Sequence, residues 1–191
     1  MSVQGTLDKP AAQAGPGPTA FAAVAVAVPG RSPILLRTAD VSEAPAIHAL
    51  IEAHLAEGHL LPRTLDELTS RATGFVVALV DGRIVGCAEL APLSATVAEV
   101  RSLVVGREAR ALGLGMRLVA ELDRRARIDG YQKLVAFTHQ PGYFVHMGFS
   151  IVPHLWVPEK IVRDCHTCPT FRRCGQQAVV LTLDPRPARP I

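Results

Sequence analysis

The sequence predicts one domain of the α/β class, in its α+β form, with helices flanking a sheet. Three observations predict it. Of the 191 residues, 49% are hydrophobic, which suffices for one sizeable core. Asp81-Gly82 stands between two apolar runs, a strong short hairpin signal. A β-like run, Val97 to Val105, passes through a glycine-bearing loop into a long amphipathic stretch.

Residues 1–33 are set apart by composition. They are rich in Ala, Pro and Gly, carry few charges, and read as a disordered leader. Ala20 to Val28 is apolar, but it is flanked by prolines and preceded only by Asp8 and Lys9. That argues against a signal peptide, and nine residues are too short for a membrane span. The domain is expected over 34–184, with a Pro-rich tail at 185–191.

Ile34 to Arg37 reads as a first strand. Ser42 before Glu43 and Pro45 marks a helix start, with Ile47, Leu50, Ile51 and Leu55 at helical spacing. Leu60 to Thr64 is a loop. Thr64 and Glu67 form a capping box for a second helix to about Arg71. Phe75–Val80, Arg83–Leu90 and Val97–Val105 make a three-strand meander. A helix follows from about Leu112 to Ile128, with Leu118, Val119, Leu122 and Ala126 on its apolar face and Arg124, Arg125 and Arg127 on its wet side. Gly130 ends it. Lys133–Phe137 is a strand, Tyr143–Met147 a short helix closed by Gly148, and Ala178–Leu183 a late strand.

A net charge of +3 with 5% aromatics and scattered arginines does not suit a nucleic-acid surface. It suits an enzyme handling small anions. The cysteines Cys87, Cys165, Cys168 and Cys174 include three crowded near the C-terminus, a poor staple for a whole domain, so a reducing, cytoplasmic compartment is expected. Cys165-x-x-Cys168 with Cys174 and His166 admits three readings: reduced structural thiols, a local disulfide, or zinc with Cys87 as fourth ligand. We expect the first, and no metal.

The most informative segment runs from Glu99 to Gly115, where a strand enters a loop holding Arg110-x-x-Gly113-x-Gly115 and then a helix. The first amides of a helix lack internal acceptors and carry the positive end of its dipole. Glycines let that backbone approach an anion closely, so a pyrophosphate can rest on several N–H groups. Arg107 and Arg110 can add charge-assisted bonds. A nucleotide-triphosphate loop is excluded by the lack of Gly-Lys-Ser/Thr. A dinucleotide fingerprint is excluded because this turn does not follow the first strand of a βαβ unit.

Leu103 to Gly115, with Arg110-x-x-Gly113-x-Gly115, resembles motif A of the GNAT superfamily of acetyltransferases. Tyr143 to Phe149 resembles its downstream short-helix motif ending in Gly-Phe. Within that superfamily the chain is similar to the short bacterial N-acetylglutamate synthase domain that lacks a kinase partner. The similarity lies in Leu61-Pro62-Arg63, Val85 to Ala88, Glu99-x-Arg101-Ser102-Leu103, and Pro158 to Ile161 followed by Asp164-Cys165-x-x-Cys168-Pro169 and Cys174.

The resemblance implies a mixed, mostly antiparallel sheet, splayed where coenzyme A enters. It implies a pyrophosphate cradle at Arg110, Ala111, Leu112, Gly113, Leu114, Gly115 and Met116, and pantetheine on the backbone of Leu103, Val104 and Val105, with an N–H near Val104 as oxyanion donor. It implies acetyl-CoA as cosubstrate, no metal, glutamate as acceptor, and a cytoplasmic enzyme that admits a homodimer. Glu99 becomes a base acting through water, with an ion pair to Arg101 as the alternative. The position that often carries the thiolate-protonating tyrosine is Phe144, which would line the coenzyme site; Tyr143 beside it, or water, would then serve. Arg63, Arg101 and Lys160 would bind the carboxylates of glutamate, because guanidinium forks match carboxylate geometry. Other amines (glutamine, a protein terminus or lysine, a polyamine) and a non-catalytic CoA-binding module are the competing readings.

Overall fold

The computed structural model describes residues 23–28, 31–168 and 171–183. The expectations for residues 1–22, for Pro169 and for the Pro-rich tail lie outside the described residues. Among the described residues, eight strands form one sheet in the order β1-β2-β3-β4-β5-β6-β8-β7. They are β1 (Val24–Val28), β2 (Arg31–Thr38), β3 (Phe75–Val80), β4 (Arg83–Pro92), β5 (Val97–Val105), β6 (Lys133–Thr138), β7 (Ser150–Val152) and β8 (Gln177–Thr182). Every neighbouring pair is antiparallel except β5 with β6. This is the mixed, mostly antiparallel sheet that was expected.

The helices are α1 (Ala44–Glu52), α2 (Leu65–Arg71), α3 (Leu114–Ile128), α4 (Pro141–Val145) and α5 (Pro158–Arg163). On one face, α3 buries Leu114, Leu118, Val119, Leu122 and Ala126 against β3–β6, and Phe144 of α4 joins that cluster. On the other face, Ile47 and Ile51 of α1 and Leu68 of α2 pack on Phe75, Val77, Cys87 and Val104. A smaller group, Leu93, Val97, Val135, Val157 and Ala178, extends the core toward the C-terminal segment.

Local chemistry accounts for most boundaries. Asp81 (φ 49) and Gly82 (φ 75) both take left-handed backbone, the conformation a two-residue hairpin loop requires. Thr64 Oγ1 accepts the Glu67 amide at 3.2 Å, but the Glu67 carboxylate goes to Arg63 at 2.9 Å, so only half of the expected box forms. The first helical segment is capped two residues earlier than expected. Asp40 accepts from the Ser42 amide and Glu43 accepts from the Asp40 amide, each at 2.8 Å.

Three expectations are corrected. The apolar run assigned to the leader supplies β1, which pairs antiparallel with β2 and carries the sheet ten residues before Ile34. Its alternating Val and Ala pair with Ile34 to Leu36 from Val24 to Val26, and the register shifts between Val26 and Val28. Arg125 is buried, with Nε 2.8 Å from Glu121 Oε1 four residues back, so pairing rather than solvent satisfies it. The short elements β7 and α5 escaped prediction because three and six residues are too few to show a period.

Candidate functional site

The site follows from how β5 is held. Its first residues, Val97, Ala98 and Glu99, pair with Lys133, Leu134 and Val135 of β6. Beyond Glu99 the two strands part: β5 continues on β4, and β6 continues on β8. The far half of β5 therefore presents main-chain groups to an open wedge. Its register on β4 shifts between the pairs Cys87↔Val104 and Glu89↔Arg101, so β5 carries one extra residue there. Ser102, at φ 48, forms this bulge.

The bulge decides which amides face the wedge. Gly106 donates to Val85 O at 2.8 Å, and alternation along an antiparallel ladder then turns Val104 toward β4 as well. The Val104 carbonyl lies against Gly86 of β4. Leu103 and Val105 consequently turn their main chains to the open side, and Val105 O accepts from Arg110 Nε at 3.2 Å. Of the residues near Val104, where the oxyanion donor is expected, Leu103 and Val105 therefore hold the open positions and Val104 itself faces β4.

After β5, Arg107–Leu112 forms a 3-10 turn that includes Arg110, Ala111 and Leu112, and Gly113 takes a left-handed conformation (φ 67) before α3 begins at Leu114. The first intrahelical bond at this end runs from the Arg117 amide to Gly113 O. The amides of Leu114, Gly115 and Met116 precede it and are oriented for an external acceptor. Arg110 Nη2 donates to both oxygens of Glu57, at 2.6 and 2.8 Å, and Arg107 Nε reaches the same carboxylate at 3.3 Å. The bond from Arg110 holds the Glu57 carboxyl below its usual range.

Tyr143 leans over this helix start. A Cβ at Gly115 would collide with its hydroxyl oxygen, and that oxygen is buried without a hydrogen-bond partner. Burial pushes the phenol's pKa up. Phe144 packs edge-on against both Tyr143 and Phe149, at 5.4 and 5.3 Å between centroids, and is buried in the α3-side core. The Phe144 ring, expected to line the coenzyme site, is 5% exposed.

The three predicted substrate residues converge on the sheet face opposite α3. Glu99, 3% exposed, accepts from Lys160 Nζ at 2.8 Å and from Arg101 Nε. Arg101 also pairs with Asp164, and Lys160 lies 2.9 Å from the same carboxylate. Burial pulls the Arg101 pKa down, but the charges of Glu99 and Asp164 outweigh it and hold the guanidinium above its ordinary value. Burial likewise opposes ionisation of Asp164, and the bond from Lys160 with the charge of Arg101 holds it below the usual range. Lys160 also stands 5.4 Å over the Phe137 ring.

Directly across from Arg101 on β4 is Glu89, 1% exposed and bound by Arg63 at 3.0 Å and Arg71 at 2.9 Å. Arg63 donates to Ser102 Oγ at 3.0 Å, while its buried Nε has no partner. Four cations thus meet three inner carboxylates. Arg71, Glu89 and Glu57 were missed from sequence. A lone carboxylate inside the apolar strand around Glu89 was a readable signal; nothing marked the other two.

Cys87 is buried on β4, with its thiol pKa pushed up to about 12 and Sγ 3.6 Å from Ser102 O. Among the described residues, no group of three His, Cys, Asp or Glu side chains is arranged to hold a metal ion. Among the same residues, no helix is long and apolar enough to cross a membrane.

Known proteins resemble this chain in sequence and fold. The chain is 32% identical over 148 residues to an uncharacterised N-acetyltransferase of Chlorobaculum tepidum, spanning 78% of this chain and 96% of that protein. It is 29% identical over 150 residues to the amino-acid acetyltransferase of Neisseria meningitidis, but covers only 33% of that longer protein. The crystal structure of N-acetylglutamate synthase from Neisseria gonorrhoeae, complexed with coenzyme A and N-acetyl-glutamate, superimposes with a TM-score of 0.71 at 28% identity, covering 78% of this chain and 35% of that one. Residues 44–149 match the model of the acetyltransferase (GNAT) family. With the parted strands, the open helix start and these matches together, the chain belongs to the acetyltransferase (GNAT) family.

Proposed function

We propose that this acetyltransferase moves an acetyl group from acetyl-CoA to the α-amino group of L-glutamate. One observation carries the reading. The parting of β5 from β6 after Glu99 opens a wedge whose one side is the free-amide start of α3. On the opposite sheet face lies a cluster of Arg63, Arg71, Arg101 and Lys160. The first feature suits a diphosphate, and the second a small dianion.

The residues fit acetyl-CoA on their own terms. Leu114, Gly115 and Met116 offer amides to the diphosphate, with Gly115 allowing close approach. Open main chain at Leu103 and Val105 suits the amide-bearing pantetheine arm. An amide there, with Leu103 nearest the bulge, stabilises charge developing on the acetyl oxygen. The neutral amine attacks the thioester carbon, its nitrogen gives up a proton to solvent water as the carbon–sulfur bond breaks, and the departing thiolate takes a proton from a donor that solvent then reprotonates. The unpartnered Tyr143 hydroxyl, kept protonated by burial, can supply it.

Both oxygens of Glu99 already accept from cations, an arrangement that favours its ion-pair role over the water-mediated base. Its task is then to hold Arg101 and Lys160 in position. Incoming substrate carboxylates can share these cations and the buried Arg63 Nε. The Neisseria relatives named for amino-acid acetylation and N-acetylglutamate synthesis support glutamate, although the chain spans about a third of each.

The deciding assay follows acetyl-CoA consumption across a panel of amino acids, polyamines and peptides. Turnover highest with glutamate is expected. Turnover with another amine and none with glutamate would retire the acceptor while keeping the enzyme.

A further inference from the structure

We propose that Cys165 and Cys168 form a reversible intrachain disulfide, a thiol-redox site coupled to the acceptor pocket through Asp164. None of the three C-terminal cysteines is disulfide-bonded; Cys165 and Cys168 are half-buried and Cys174 is exposed. Cys165–Thr167 forms a 3-10 turn closed by the Cys168 amide on Cys165 O at 3.1 Å. In such a turn residues i and i+3 stack above one another with a rise of about 2.0 Å per residue, which sets these two Cα atoms roughly 6 Å apart. That lies within the separation a disulfide spans. Cys87 is excluded as a partner by its burial on β4 beneath Ser102.

The position of the turn gives the bond a consequence. Asp164 is its N-cap, and the Asp164 carboxylate reaches Arg101 and Lys160, the two cations that hold Glu99. Drawing the two sulfurs together tightens the turn at the residue that anchors α5 to β5. The phosphate turn, by contrast, shares no hydrogen bond or ion pair described above with this segment.

The chemistry needs a co-reactant of the disulfide class. A cysteine thiolate attacks one sulfur of RS–SR, forming a mixed disulfide and releasing RS⁻, which takes a proton. The second cysteine, as thiolate, attacks the cysteine sulfur of the mixed disulfide and expels a second RS⁻, also protonated. Two electrons pass from the cysteines to RS–SR, two protons to the departing thiols, and dithiol reagents reverse both steps.

The test uses the full chain, oxidised glutathione as the oxidant and dithiothreitol as the reductant. Trypsin releases Asp164 to Arg172 with both cysteines in one peptide. Oxidation is expected to lower its mass by about 2 Da and to block alkylation of both thiols, reversibly. With whichever amine the enzyme turns over, the acceptor KM is expected to rise about threefold or more on oxidation while the acetyl-CoA KM holds. Cys168→Ser and Cys165→Ser should each abolish the response, and Cys174→Ser should keep it.

A link mapped to Cys174, full alkylation of Cys165 and Cys168 after oxidation, or the same KM change in Cys168→Ser would overturn the proposal. The kinetic arm rests on the proposed transferase function, but the peptide mass does not. If no amine is acetylated, the functional reading fails while the disulfide is still read directly.

Discussion

The Tyr143 hydroxyl lies against Gly115 so closely that any side chain at Gly115 would strike it. Tyr143 comes from α4 and Gly115 from the first turn of α3. Their contact joins the two sequence motifs into one site. It also leaves the phenol oxygen buried and unpartnered at the mouth of the wedge.

Gly115→Ala forces the phenol or the helix start to move. We expect acetyl-CoA affinity to fall about tenfold or more, with the melting temperature nearly unchanged because the site is at the rim of the core. Titration calorimetry with coenzyme A reads this, and an unaltered dissociation constant would remove the cradle role from Gly115.

Tyr143→Phe keeps the ring and removes only the proton donor. A kcat loss of about 10²-fold with both KM values held is the expected result for a general acid. Because burial raises the Tyr143 pKa above its ordinary value of 10.0, the donor stays protonated through neutral pH, and its own alkaline limb falls above pH 10. An unchanged kcat would assign the proton to water.

Glu99→Gln leaves Arg101 and Lys160 short of a buried counter-charge. Removing one partner from a buried pair costs about 3 kcal/mol, which urea unfolding can measure. In the ion-pair role the acceptor KM rises and the acetyl-CoA KM does not. A stable protein that loses only kcat would restore Glu99 as the base.

Arg63→Lys keeps the charge and loses the fork. We expect the glutamate KM to rise about tenfold with acetyl-CoA kinetics intact, since an ammonium cannot reproduce the guanidinium bonds to Glu89 and Ser102 together with a substrate carboxylate. An unaltered glutamate KM would move Arg63 into a purely structural role.

Stability should decline on the alkaline side. Buried Cys87 holds its proton to about 12, against 9.0 for a free thiol, and Tyr131 and Tyr143 are also raised by burial. The unfolded chain therefore ionises first. The native advantage is complete below pH 9 and is lost as pH rises toward 12, at up to about 1.4 kcal/mol per pH unit for each group. Urea midpoints at pH 8 and 10.5 test this, and Cys87→Ala should flatten the slope.

Elements with strong local signals were legible: the Asp81-Gly82 hairpin, the apolar stripe of α3, and the Arg110-x-x-Gly113-x-Gly115 turn. Each is specified by neighbours within a few residues, through positive φ, helical period or free helix amides. The sequence also marked Arg63, Arg101 and Lys160 as functional candidates, and all three meet in one cluster.

What the chain alone could not determine depends on residues far apart along it. Whether Val24–Val28 pairs is decided by β2, whether Arg125 is wet or buried by packing around α3, and which of Leu103, Val104 and Val105 faces the wedge by the Ser102 bulge. A one-residue shift in register turns every following main-chain group to the opposite side. Composition and spacing determined the fold class and the chemistry of the turn. Only tertiary contact decided which amides face the wedge and which phenol lies over the start of α3, because direction in a sheet is set by the partner strand.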